Sequence, residues 1–103
     1  MSAFVRVADT ADIPPGEMKS FTVAHRQIVV CNIDNEFFAL ADECSHDSAP
    51  ISDGHLDEAR LVCPRHGATF DIRSGRATGP PAVVGIDKYE LKIEGEGILV
   101  MVP

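Results

Sequence analysis

Four potential metal ligands stand in two mixed pairs near the middle of the sequence. Cys44 and His46 form the first pair, Cys63 and His66 form the second, and the sixteen residues 47–62 separate them. Thiolate sulfur and imidazole nitrogen are ligands in both zinc and iron–sulfur centres. Two such pairs, carried on two loops, can close around one metal centre. We therefore take these four residues as candidate metal ligands and cofactor-binding residues.

The order of the ligands favours one kind of centre. A zinc finger usually places two cysteines together and then two histidines. Here each pair is mixed, which favours a 2Fe–2S cluster in which one iron takes both cysteines and the other takes both histidines. A structural Cys2His2 zinc domain is one alternative. A disulfide between Cys44 and Cys63 is another, although it would leave both histidines without a role.

The elements that must position these ligands are expected to be strands and loops. Short β-rich segments separated by turn residues predict an all-β domain, with clear strands at 4–8 and 27–33 and a hairpin loop at 94–97. The region from about 42 to 81 is richer in Ser, Asp, Gly, His and Pro. Such a composition is typical of a site built from loops on a rigid scaffold.

The whole-chain composition limits the class of protein. The 103 residues suit one domain, 1–103, and the net charge of −7 disfavours nucleic acid and anionic membranes as partners. No apolar stretch approaches the length of a membrane span, and the first residues lack the apolar core of a signal peptide. We expect a soluble, cytoplasmic protein with reduced thiols.

The remaining histidines and cysteine are expected to have structural or solvent-exposed positions. His25 and His55 have no ligand partner at motif spacing, so both are predicted to be exposed. Cys31 stands in an apolar strand and is predicted to pack as a small hydrophobic residue.

The sequence resembles the Rieske family. Cys44-x-His46 and Cys63-Pro64-Arg65-His66-Gly67 are similar to its cluster-binding motif, and the stretch 68–100 is similar to its usual continuation. The resemblance implies a Rieske fold of three small antiparallel sheets, with a loop-built cluster-binding subdomain at one tip, at about 42–81. It also implies one Rieske-type 2Fe–2S cluster per chain, bound by the four candidate ligands.

Departures from one branch of the family indicate the subclass. Rieske proteins of respiratory cytochrome bc complexes carry disulfide cysteines where this chain has Ala49 and Arg65. They also carry a Ser and a Tyr, which donate hydrogen bonds at the cluster, where this chain has Ala68 and Phe70. The resemblance therefore implies a soluble, low-potential Rieske ferredoxin.

The subclass implies partners and a docking surface. A flavoprotein ferredoxin reductase would supply single electrons, and a terminal non-haem iron ring-hydroxylating dioxygenase would accept them. We expect a monomer without catalytic residues of its own. Docking is predicted at the cluster tip, around Asp47, Arg65 and the Pro80-Pro81 loop.

Two further functions are weighed against electron transfer to an oxygenase. The Rieske half of an oxygenase would need a separate iron site of two histidines and a carboxylate, for which the chain leaves no room. A small Rieske subunit of a nitrite-reductase-like or other oxidoreductase is the closer alternative, although the nitrite reductase group often lacks the four ligands.

Overall fold

The computed structural model describes residues 3–43, 50–64, 67–80 and 84–102. Within these ranges, eleven β-strands form three antiparallel sheets, and no helix is long and apolar enough to cross a membrane. The strands are β1 (Ala3–Asp9), β2 (Met18–Val23), β3 (Arg26–Ile33), β4 (Glu36–Ala41), β5 (His55–Asp57), β6 (Arg60–Val62), β7 (Thr69–Asp71), β8 (Ala77–Gly79), β9 (Lys88–Tyr89), β10 (Leu91–Glu94) and β11 (Gly97–Val102). The predicted all-β class with three sheets is confirmed.

Two of the sheets form the scaffold. One has the strand order β1-β11-β10, and the other has the order β2-β3-β4-β9. Two-residue turns join β2 to β3 and β3 to β4, with positive φ at Ala24 and His25 and at Asp34 and Asn35. Such turns match the right-handed twist of the strands they connect.

The third sheet, β5-β6-β7-β8, lies within the predicted cluster-binding subdomain. Each of its strands has three residues, as expected for a region rich in loops. The sequence did not predict β5, because its exposed–half-buried–exposed alternation at His55, Leu56 and Asp57 is too short to be recognised. Pairing of β5 with β6 stabilises it instead.

β3 contributes to two apolar cores, which explains its nearly continuous apolar sequence. Side chains alternate across a strand, so Ile28 and Val30 enter one core while Val29 and Cys31 enter the other. The first core lies between the two scaffold sheets. The second packs the scaffold against the third sheet, and its buried members are Val29, Cys31, Leu40, Ile51, Leu61, Cys63, Ala68, Phe70, Ile72 and Ile86.

Candidate cluster-binding site

One of the four predicted ligands, Cys63, lies in the described part of the chain. Cys44, His46 and His66 lie outside the described residues. Across 3–43, 50–64, 67–80 and 84–102, no three His, Cys, Asp or Glu side chains come together as a metal site would require. The ligand set therefore stays a prediction. The geometry concerns the residues that flank the two segments with the predicted ligands, 43–51 and 63–67, which we call the first and second ligand loops.

Cys63 follows directly after β6 and closes the base of the second ligand loop. Its N–H donates a 2.7 Å hydrogen bond to the carbonyl oxygen of Ala68. Gly67 has φ +73, a backbone conformation that favours glycine. The Cys63 side chain is 1% exposed and belongs to the second core. A sulfur ligand shielded from water at a strand end fits the role of an iron–sulfur thiolate.

The first ligand loop is also closed at its base, by side-chain contacts. Asp42 follows β4 and is 3% exposed. Its Oδ1 accepts a 2.7 Å hydrogen bond from the N–H of Ser52, and its Oδ2 accepts a 2.6 Å bond from the hydroxyl of Ser52. The N–H of Asp42 donates to the carbonyl oxygen of Gln27 at 2.9 Å. Both ends of the segment 43–51 are therefore attached to the scaffold.

A glycine connects the two ligand loops. Gly54 packs so closely on the backbone of β6 that an added Cβ would overlap the carbonyl oxygen of Val62. Its N–H donates to the carbonyl oxygen of Ile51 at 2.8 Å. Because Val62 immediately precedes Cys63, this contact relates the end of the first loop to the start of the second.

The predicted Pro80-Pro81 loop is attached to the rest of the fold on its C-terminal side, at Ile86 and Asp87. The N–H of Ile86 donates to the carbonyl oxygen of Gly75, and the N–H of Ala41 donates to that of Asp87, both at 2.8 Å. The second bond joins this loop to the residue just before Asp42. Val84 is 65% exposed, while Pro81 lies outside the described residues.

Ala68 and Phe70 are fully buried in the second core, to which Cys63 also belongs. Neither side chain carries a hydrogen-bond donor. Thr69, between them, points to the other face of β7, where its hydroxyl is 2.8 Å from that of Thr78. Ala68 and Phe70, the two positions without side-chain donors, therefore face the interior, whereas the Thr69 hydroxyl does not.

The other histidines and the third cysteine occupy the environments predicted for them. His25 lies in the exposed β2–β3 turn, and His55 is exposed on β5. Cys31 is fully buried. Burial, and to a lesser degree the charge of Asp42, raise the pKa of its thiol from 9.0 to about 12. Cys31 is therefore a neutral packing residue at physiological pH.

Sequence reasoning missed the residues that hold the loops. Asp42 and Ser52 were not distinguished from the polar residues around them, and Gly54 stood among other turn-forming residues. Their partners are eight to ten positions away in the sequence, so no local pattern announces the contacts. The available signal was an acidic residue two positions before the first ligand pair.

The chain is similar to known proteins over most of its length. The Rieske [2Fe-2S] domain model matches residues 3–90. The ferredoxin component of biphenyl 2,3-dioxygenase from Rhodococcus jostii (strain RHA1) is 38% identical over 98 residues, which are 95% of this chain and 92% of that protein.

Solved structures give the same result. The ferredoxin of carbazole 1,9a-dioxygenase from Nocardioides aromaticivorans IC177 matches with a TM-score of 0.91 at 30% identity, covering 94% of this chain and 95% of that one. A chain in the complex of reduced oxygenase and oxidized ferredoxin in carbazole 1,9a-dioxygenase matches with a TM-score of 0.89 at 27% identity, covering 93% and 99%. The predicted Rieske fold, Rieske-type 2Fe–2S cofactor and electron-transfer ferredoxin class are confirmed.

Proposed function

The chain belongs to the Rieske [2Fe-2S] domain family, and we propose that it is the low-potential ferredoxin of a multicomponent oxygenase system. It takes single electrons from a flavoprotein reductase and delivers them to a terminal non-haem iron ring-hydroxylating dioxygenase. The observation that carries this proposal is the match along nearly the whole length of a ferredoxin component, 95% of this chain and 92% of the relative. The chain acts as one domain, 1–103, with its cluster-binding subdomain at about 42–81.

In the proposed ligand set, the two cysteines and the two histidines have different roles. Cys44 and Cys63 would bind one iron, and His46 and His66 would bind the other; when bound, the cluster would supply reversible uptake of one electron. Support comes from the mixed order of the ligands and from Cys63, whose buried side chain lies where β6 ends. The role of the chain is to hold these ligands and to exclude water from the sulfur side.

The low potential rests on what surrounds the ligands. Hydrogen bonds to the sulfurs of a cluster stabilise its reduced form and raise its potential. Ala68 and Phe70 are buried in the same core as Cys63, and their side chains cannot donate such bonds. The segment 42–76 also carries seven acidic against four basic residues, which disfavours an additional electron.

The docking surface is proposed at the cluster tip. Electron transfer needs close approach, and the histidine ligands are the ones expected to face a partner. Asp47, Arg65 and the Pro80-Pro81 loop surround them in the proposal. The 65% exposure of Val84, just beyond that loop, supports an apolar component in the contact. We place the protein in the cytoplasm as a monomer, where reduced thiols are maintained.

The test uses the purified holoprotein with the reductase and oxygenase encoded nearest to its gene. Iron and sulfide analysis, with visible and electron paramagnetic resonance (EPR) spectra, distinguishes a 2Fe–2S cluster from colourless zinc protein. The reduced protein should then be reoxidised by the oxygenase, and product formation should require all three components. If the cluster stays reduced in the presence of this oxygenase and its substrate, the assignment of the acceptor is wrong.

A further inference from the structure

Asp42 is a charged residue buried beside the proposed site, and packing alone does not call for it. In the described part of the chain, the buried polar or charged residues are Asn32 and Asp42. Burying a carboxylate costs several kcal/mol unless hydrogen bonds replace its water. Asp42 stands two residues before Cys44, so this buried carboxylate lies at the start of the first ligand loop.

Ser52 replaces the lost water at both oxygens of the carboxylate. Its N–H donates to Oδ1 at 2.7 Å and its hydroxyl donates to Oδ2 at 2.6 Å. Hydrogen bonds to an ionised acceptor are shorter and stronger than neutral ones, and these two lengths fit that class. The pair therefore forms a two-point connection across the ends of the segment 43–51.

Both partners are themselves held in place. The N–H of Asp42 is bonded to Gln27 of the scaffold sheet. Ser52 lies in a short 3₁₀ turn, Ile51–Asp53, whose first side chain is fully buried. Gly54 then packs on the carbonyl of Val62, next to Cys63. A continuous series of contacts thus runs from β4 through the Asp42–Ser52 pair to the start of the second ligand loop.

We propose that Asp42 and Ser52 are positioning residues for the cluster, which fix the first ligand loop relative to Cys63. The inference rests on the proposed ligand set. Closing a loop at its base removes much of the conformational freedom that the ligands would otherwise lose on binding the cluster. A fixed loop also keeps both ligand pairs at the separation that one cluster requires, which lowers the rate at which iron is lost.

The experiment measures iron release from the holoprotein to a chelator, and the EPR spectrum of the reduced form. Ser52→Ala removes one of the two hydrogen bonds to Asp42, and Asp42→Ala removes both. We expect iron release to accelerate at least about tenfold for Ser52→Ala, the equivalent of one hydrogen bond to a charged group, and more for Asp42→Ala. The EPR spectrum should broaden. Ser52→Thr keeps the hydroxyl and should restore the wild-type rate and spectrum.

Two control variants separate positioning from general stability. Asn32→Ala removes a buried side chain whose amide donates to the carbonyl oxygen of Ile13 and accepts from the N–H of Asn35, at the opposite end of the β3–β4 hairpin. It should lower the melting temperature without accelerating iron release from the folded protein. Ser74→Ala removes a hydroxyl-to-carboxylate bond of the same kind, to Asp71. It should leave the rate of iron release and the EPR spectrum unchanged.

The outcomes distinguish this inference from the function on which it rests. Wild-type protein that binds no 2Fe–2S cluster would overturn both. Wild-type protein with a cluster, together with Ser52→Ala that releases iron at the wild-type rate with an unchanged spectrum, would overturn the positioning role alone. Acceleration by Asn32→Ala equal to that by Ser52→Ala would also overturn it. If Asp42→Ala does not fold, the comparison of Ser52→Ala with Ser52→Thr decides the question.

Discussion

Gly54 and Val62 meet backbone to backbone, so closely that position 54 has no room for a side chain. An added Cβ would also lie 3.2 Å from the carbonyl oxygen of Ile51. The contact crosses from the end of the first ligand loop to the residue before Cys63. A methyl group at this position would push the two loops apart.

Gly54→Ala should therefore impair both folding and cluster retention. Because only backbone atoms oppose the new Cβ at close range, relief requires a backbone shift, and we expect a loss of about 2–4 kcal/mol in the free energy of unfolding. Denaturant unfolding and iron content measure the two effects. Gly16→Ala is the control, since an added Cβ there meets nothing within 4 Å and only the positive φ opposes it, at a cost of about 1 kcal/mol. Equal effects of the two substitutions would contradict the steric explanation.

The proposed ligand assignment separates the four histidines into two classes. His46→Ala and His66→Ala should each abolish the native visible and EPR spectra, because each removes a nitrogen ligand of one iron. His25→Ala and His55→Ala provide matched controls at exposed positions and should leave the spectra unchanged. Native spectra in both His46→Ala and His66→Ala would show the ligand assignment to be wrong.

The reduction potential should lie near the low end of the range for Rieske centres, on the order of −150 mV. Ala68→Ser with Phe70→Tyr should raise it, because both positions are buried in the same core as Cys63 and their side chains would gain donors. Redox titration near neutral pH provides the measurement. Thr69→Val is the control, because the Thr69 hydroxyl faces that of Thr78, and it should leave the potential unchanged. A wild-type midpoint above about +100 mV, within the upper range for such centres, is incompatible with a low-potential ferredoxin.

Docking at the cluster tip predicts a local, salt-dependent effect of charge. Arg65→Glu should slow electron transfer to the oxygenase most strongly at low ionic strength, where rim charges most affect association rates. Lys92→Glu makes the same charge change on β10 of the first scaffold sheet, away from the ligand loops, and should have little effect. Stopped-flow reoxidation at several salt concentrations compares them. Equal slowing by both variants would indicate a general charge effect, and unchanged rates at Arg65 would place docking elsewhere.

Cys31 should make stability dependent on pH in the alkaline range. Its pKa is about 12 in the folded protein against 9.0 ordinarily, so the folded state favours the neutral thiol. The resulting contribution to the free energy of unfolding is fully present below pH 9. It is lost as the pH rises toward 12, by about 1.4 kcal/mol per pH unit. Unfolding free energies of wild type and Cys31→Ala at pH 8, 9 and 10 give the difference. A difference that stays constant with pH would contradict the burial of a neutral thiol.

Local chemistry in the sequence was sufficient for the ligand motif and for most strands. The mixed order of the Cys and His pairs depends on residue type and spacing, which the sequence states directly. β3 and the turn at Asp34 and Asn35 follow from an apolar segment and from side chains that tolerate positive φ, both of which are properties of neighbouring residues.

Tertiary structure alone decided how the ligand loops are held. Asp42 meets Ser52 because the segment before the third sheet folds back on the end of β4, and Gly54 meets Val62 because β5 pairs with β6. The short strand β5 exists because β6 pairs with it, and the raised pKa of Cys31 exists because two sheets bury it beside Asp42. Each of these depends on distances through space and on exclusion of water, which neither residue type nor spacing along the chain encodes.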